Sequence, residues 1–248
     1  PLLTKAATST LLPLQIRGGQ IHEIYKCKGS QQQATSYRDV TIASQFAKSF
    51  GSLFRPRMQP TVSAIAGNTQ FGGGLDTGAT DVAHVLVRAY IDVASLTGLS
   101  LGLLFVDLST AFASVVRALA LPTDASDVEW RRRLMDSGFT DSEASGIMQE
   151  VHDEDLWAQS GGCTHLQTLL KELHIDTWAS NEGLAGVIRC ESGTLAGTPT
   201  ADFVFILAFA RVLQKARIQL QTAGLIHNVD TEGAAQYFGE SELHGQTL

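Results

Sequence analysis

Apolar and polar positions along the 248-residue chain alternate between strand-like and helix-like periods. Residues 20–28 and 36–44 read as two short strands, the second rich in β-branched and aromatic side chains (Tyr37, Val40, Thr41, Ile42). The polar stretch 29–35 between them predicts a β-hairpin. Over 45–58, Phe46, Ala47, Phe50, Leu53 and Phe54 recur at helical spacing, with Pro60 as the expected stop. Glycine crowds 67–78, including Gly72-Gly73-Gly74. A phosphate cradle would end in Gly-Lys-Ser/Thr, and no lysine stands there, so a flexible loop is expected. Val82, Val85, Leu86, Ala89, Val93 and Leu96 then mark one face of a helix running from Thr80 to Gly98.

Residues 99–108 form a continuous apolar run whose length and Phe/Val content predict a buried strand ending at Asp107. A carboxylate at the exit of a buried strand is costly unless it is paired, hydrogen-bonded or bound to a cation. Asp107 is therefore a candidate metal ligand, with a turn or helix-cap role as the alternative. Ser109 is placed to cap a helix with Phe112, Val115, Val116 and Leu119 on its apolar face. Residues 127–180 predict a peripheral insert of three helices (128–136, 141–152 and 165–178). Its Arg131-Arg132-Arg133 run suits a face salt-bridged to nearby acids better than a phosphate contact. A glycine- and proline-bearing loop, 191–202, leads into a long helix opened by Asp202, apolar all round from Phe203 to Phe209 and ended by Gly224.

Composition narrows the class. At 44% hydrophobic and 17% charged residues the chain is globular and builds a buried core. The greasiest run, 96–108, is 13 residues, short of the roughly 20 that span a bilayer. With no signal peptide or membrane span in sight, the expected location is intracellular, without a membrane partner. Cys27, Cys163 and Cys190 are too few and scattered for a disulfide framework, and Cys163 with His165 is at most half a zinc site. Net charge is −7, which argues against nucleic acid until its distribution is read. Residues 1–60 hold eight basic side chains (Lys5, Arg17, Lys26, Lys28, Arg38, Lys48, Arg55, Arg57) against Glu23 and Asp39, a local +6. The other 188 residues hold 10 basic and 23 acidic groups, or −13. Because salt confines charge effects to roughly 8–10 Å, the first segment can meet phosphates whatever the total.

At Phe105-Val106-Asp107-Leu108-Ser109-Thr110-Ala111-Phe112-Ala113-Ser114-Val115 the chain resembles the first catalytic motif of reverse transcriptases of the non-LTR retrotransposon type, F-x-D-x-x-x-A-F-D-x-V. Tyr37-Arg38-Asp39-Val40-Thr41 is similar to the fingers motif Y-R-P-I-S, with Lys48 placed like the lysine of the following helix. Gln70-Phe71-Gly72 and Thr80-Asp81-Val82-Ala83 resemble Q-x-G-F…S-T-x-D-A. Gly193-Thr194-Leu195-Ala196-Gly197-Thr198-Pro199-Thr200-Ala201-Asp202, then Phe205, resembles G-V-x-Q-G-x-P-L-S-P…F. Four pieces in the family's order, over 25–213, are far more specific than any one.

The resemblance implies an α+β right-hand polymerase, fingers and partial palm, with an antiparallel palm sheet backed by helices. Its segments are 1–60 (fingers with the basic hairpin), 61–126 (fingers and palm with the first catalytic motif), 127–180 (helical insert) and 181–248 (palm glycine loop and long helix). The implied activity is RNA-directed DNA synthesis on an RNA template, with a DNA primer and dNTP. It uses two Mg²⁺ ions that need several converging carboxylates. Asp107 matches the first metal ligand, and the Leu108 carbonyl is a further candidate. Phe112 matches the residue that blocks a ribose 2′-hydroxyl. Arg38, Gly197 and Pro199 match nucleotide-binding positions, and Lys26, Lys28 and Lys48 are placed for nucleic acid. The chain also departs from the pattern: Ala113 replaces Asp, Ala196 replaces Gln, and Tyr/Phe-x-Asp-Asp is absent. Asp230 is the only late acid on a strand-like stretch. The chain reads as a fragment, inactive alone, cut before the second set of aspartates. The alternative is a non-catalytic nucleic-acid-binding remnant of a decayed retroelement.

Overall fold

The computed structural model describes residues 2–108, 110–122, 125–183 and 185–225. Its fold is α+β, around a four-stranded sheet. A short helix, α1 (Leu2–Ser9), precedes β1 (Gly18–Tyr25) and β2 (Tyr37–Ala43), which pair antiparallel from Gly19↔Ala43 to Tyr25↔Tyr37. The expected hairpin is present. The Tyr25 and Tyr37 rings close its far end at 5.4 Å, and their hydroxyls donate to the carbonyls of Gly29 and Gln31 in the connection.

Helix α2 (Gln45–Ala66) runs through Pro60, the expected stop, and through Pro56. Each internal proline removes a backbone donor and costs roughly 3 kcal/mol. Phe50, Phe54, Met58 and Val62 recur every four residues and are all buried, so the stripe that starts before the prolines continues past them. Burial of its last two members, about 1.5–3 kcal/mol each, offsets much of that cost. Helix α3 (Thr80–Thr97) follows the glycine loop and ends at Gly98 in left-handed conformation (φ 68°), as its sequence predicts.

Helices α4 (Asp127–Asp136) and α5 (Asp141–Asp153) form a hairpin with its own core of Trp130, Leu134, Ala144 and Met148. Each start is fixed by a side chain: Ser126 accepts from the Glu129 N–H, and Thr140 forms a reciprocal capping box with Glu143. The arginine run is salt-bridged as expected, Arg131 to Asp141, Arg132 to Asp136 at 2.8 Å and Arg133 to Glu129 at 2.5 Å. A short α6 (Leu156–Gln159) leads to α7 (Thr164–His174).

Two expectations fail here. The third insert helix does not reach Trp178, because α7 ends at His174 and Thr177–Asn181 is strand β3. Nor is the sheet wholly antiparallel. Its order is β2-β1-β3-β4, with β3 parallel to β1 from Gly18↔Trp178 and β4 (Ile188–Cys190) antiparallel to β3. A parallel neighbour is joined through a long crossover, here everything between β2 and β3, so local periodicity carries no trace of it. The last helix, α8 (Ala201–Thr222), buries Ala201, Phe203, Val204, Ile206, Leu207 and Ala208.

The predicted buried strand at 99–108 is not formed: the segment has no regular secondary structure, and Leu104, Phe105 and Val106 are 74–88% exposed. A strand is stabilised by a hydrogen-bonded neighbour and covered faces, and among the described residues neither is supplied. The helix expected after it is also absent. Residues 110–114 form turns and Arg117–Leu119 a single 3₁₀ turn. Its proposed cap, Ser109, lies outside the described residues, as does Asp230.

The chain divides into two compact units, Pro1–Ile65 with Leu103–Ala208, and Ala66–Gly102 with Phe209–Leu248. The sheet and the α4–α5 hairpin belong to the first, and the glycine loop and α3 to the second. Among the described residues no helix is long and apolar enough to cross a membrane.

Candidate functional site

The loop between β4 and α8 is held at three points within the first unit. The Gly193 N–H donates to the Val115 carbonyl at 2.9 Å and the Thr194 N–H to the Phe112 carbonyl at 2.6 Å. The Ala196 carbonyl accepts from the Thr41 N–H on β2, also at 2.6 Å. Pro199 packs on Gly51 of α2, where any side chain would overlap its ring. Three segments singled out in the sequence, around Thr41, Phe112 and Gly197, thus meet although more than 70 residues separate each from the next.

Arg55 of α2 fastens the loop's far end. Its guanidinium donates to both carboxylate oxygens of Asp202 (2.7 and 2.5 Å) and to the Pro199 carbonyl (2.7 Å), and it lies 4.2 Å above the Phe203 ring. Asp202 also sits in the first turn of α8, where the helix dipole favours an anion. The near end is fastened by Arg117, which donates to the carbonyls of Gly193 (2.5 Å), His174 (2.6 Å) and Ser192 (3.2 Å) and to the Thr177 hydroxyl (2.7 Å). Burial lowers its pKa.

Neither clamp is legible as a partnership in sequence. Arg55 registers there only as part of the basic balance of 1–60. Arg117 has a usable signal, since it interrupts the apolar run Val115-Val116-Arg117-Ala118-Leu119, and a lone guanidinium in such a run is either exposed or fully hydrogen-bonded.

His174, at the end of α7, is buried, with its Nε2 3.1 Å from the Thr200 hydroxyl. Burial first, and the Arg117 charge second, push its pKa from 6.5 down to about 3, against an opposing pull from Thr200. The folded chain keeps this ring neutral while the unfolded chain protonates it below about 6.5. The associated stability is therefore whole above that pH and is lost progressively as pH falls toward 3. Between pH 6.5 and 5, urea unfolding should show a fall of roughly 1–2 kcal/mol, since one proton contributes at most about 1.4 kcal/mol per pH unit. His174→Gln should flatten it. Parallel losses in both proteins would refute this assignment.

The other anticipated residues are dispersed. Phe112 is half-buried with its ring 5.6 Å from Phe205, so it packs on α8 from a turn rather than from a helix. Gly197 is exposed, at φ 98°, with its backbone against β2. Arg38 and Lys48 are exposed on β2 and α2, and Lys26 and Lys28 at the hairpin end, where the Lys26 ammonium donates to the Thr35 carbonyl at 2.9 Å. Among the described residues Lys28, Arg38 and Lys48 have no ion-pair partner, whereas Arg17 and Arg55 of the same basic segment are paired with Glu172 and Asp202. Asp107 and Leu108 are exposed in the irregular 99–108 segment rather than at the exit of a buried strand. Among the described residues no group of three or more His, Cys, Asp or Glu side chains is placed to hold a metal ion. With Asp202 committed to Arg55, the described donors do not fit a two-Mg²⁺ site.

No family model, curated protein or solved structure matches the chain.

Proposed function

We propose that this chain is the fingers and partial palm of a reverse transcriptase of the non-LTR retrotransposon type, and that by itself it holds nucleic acid without extending it. One observation carries the reading. The three segments that resemble the family's fingers, first catalytic and glycine-loop motifs are stitched together by backbone hydrogen bonds, Thr41 to Ala196, Thr194 to Phe112 and Gly193 to Val115. Motif-like strings arising by chance have no reason to adjoin in space. Lys28, Arg38 and Lys48, without an ion-pair partner among the described residues, lie on the hairpin and helix that receive this loop, and suit them to a template or primer backbone.

In the parent activity a primer 3′-oxygen attacks the α-phosphorus of a dNTP, the bond to the pyrophosphate oxygen breaks, and the hydroxyl proton is given up. The described donors do not make the metal site for that step, and none of it is assigned to them. That donor set also favours the second reading, a non-catalytic nucleic-acid-binding remnant. Primer extension and duplex binding on the same preparation separate the outcomes. The purified chain should bind an RNA template–DNA primer duplex in a salt-dependent manner, weakened several-fold by combined Lys28→Gln, Arg38→Gln and Lys48→Gln, with no extension. Extension abolished by Asp107→Ala would contradict the inactivity. Binding indifferent to those substitutions would contradict the nucleic-acid reading itself.

A further inference from the structure

A cleft of about 650 Å³ opens between α4, the end of α7 and the β4 edge, wholly within the first unit. Cations reach its lining from separate parts of the chain: Arg117, Arg132 and Arg133 of α4, Lys171 of α7 and Arg189 of β4. Three of them are braced by carboxylates on the same walls, Arg132 by Asp136, Arg133 by Glu129 and Arg189 by Asp176 at 2.6 Å. Arg117 differs. All its hydrogen bonds go to neutral oxygens, so among the described residues no carboxylate offsets its charge.

A guanidinium held without a counter-ion is expensive, and an arriving anion relieves it. Burial lowers the Arg117 pKa most, Cys190 opposes this, and the Arg133 charge lowers it further, so two guanidinium charges bear on each other here. The volume falls in the range of small-molecule sites, roughly 300–1,000 Å³. Part of the remaining wall is apolar, from Ala118, Leu121, Pro122 and Ile175, and offers a surface for a ring or sugar beside the charge, while Glu191 adds one more carboxylate to the lining.

We propose that this cleft binds a phosphate ester, with its phosphate between Arg117 and Arg133 and Arg189 at the rim. Four of the five Arg117 N–H groups already donate within the chain, so Arg117 contributes its charge and one remaining N–H, while the planar guanidiniums of Arg133 and Arg189 supply the several donors that match phosphate oxygens. The site lies outside the four motif-like segments, and it stands whether or not the chain belongs to a polymerase. The same chemistry has two sources, a free nucleotide and the backbone of a single strand.

The test uses the full chain carrying Lys26→Gln, Lys28→Gln, Arg38→Gln and Lys48→Gln, which removes the cations proposed above to hold nucleic acid. ATP without divalent metal and a twelve-residue oligothymidylate are titrated calorimetrically against this protein. They are then titrated against the same protein with Arg133→Gln and Arg189→Gln added. Both added substitutions fall on partly exposed surface ion pairs, which contribute little to stability, so the fold is retained. A drop of about tenfold or more in ATP affinity assigns the site to a free nucleotide. The same drop for the oligonucleotide, with ATP not bound, assigns it to a strand. Neither probe binding at millimolar concentration, or binding undiminished by the added pair, overturns the proposal. Because the hairpin is already neutralised, a failure here is distinct from a failure of the polymerase reading.

Discussion

Gly197→Ala is expected to destabilise the chain by about 3–5 kcal/mol, one of the two largest effects of any single substitution considered. Two costs add. The residue sits at φ 98°, a conformation whose price for an L side chain is of order 1–3 kcal/mol. A methyl there would also overlap the Thr41 carbonyl oxygen, which is backbone in a paired strand and cannot swing away. Gly193→Ala should behave similarly, at φ 67° and against the Ala113 backbone. Gly146→Ala is the control. It lies inside α5 with nothing within 4 Å of the added carbon, and should stabilise by roughly 0.5–1 kcal/mol. Urea midpoints for the three variants check the order. A Gly197→Ala loss below 1 kcal/mol would mean that the loop does not lie against β2.

Arg117→Leu should cost about as much, 3–5 kcal/mol, for a different reason. It strips donors from the part-buried carbonyls of His174 and Gly193 together, and an abandoned buried acceptor costs about 1–3 kcal/mol, whereas the exposed Ser192 carbonyl is taken up by water. Leucine is also shorter and leaves part of the space empty. Arg117→Lys should recover less than half, since one ammonium cannot span oxygens that a planar fork reaches at once. The local consequence is faster amide exchange at Gly193 and Thr194 than at the β1–β2 pairing. Unchanged exchange in Arg117→Leu would show that this guanidinium does not hold the loop.

What the sequence discloses follows the range of the forces involved. The hairpin, α3 with its Gly98 stop, the ion-paired arginine run and the opening of α8 at Asp202 rest on contacts within one element or between elements adjacent in sequence, and all are legible. The failures involve distant partners. Residues 99–108 have a strand's composition, but pairing needs a neighbour that no local pattern supplies. Pro60 has a helix breaker's chemistry, but Met58 and Val62 continue a buried stripe whose covering lies elsewhere in the chain. Trp178 completes a helical period locally, yet it is drawn into the parallel pairing with Gly18.

The same division holds at the site. Gly197 is identifiable because the positive φ and close approach that require glycine are written in its type. The approaching backbone is the chain's own β2. Arg55–Asp202 and the four oxygens around Arg117 are invisible because partners 57 to 147 residues away have no signature in spacing.

The proposal that the chain holds a template and primer on the hairpin and helix that receive loop 193–199 is tested most directly by photocrosslinking. An RNA template carrying 4-thiouridine at the first unpaired position beyond the DNA primer is bound to the full chain and irradiated. The adducts are then located by mass spectrometry. The account predicts adducts within 193–199 and at Phe112, reduced when Lys28, Arg38 and Lys48 are neutralised. Adducts confined to α4 and α5, or none from a duplex shown to be bound, would contradict it.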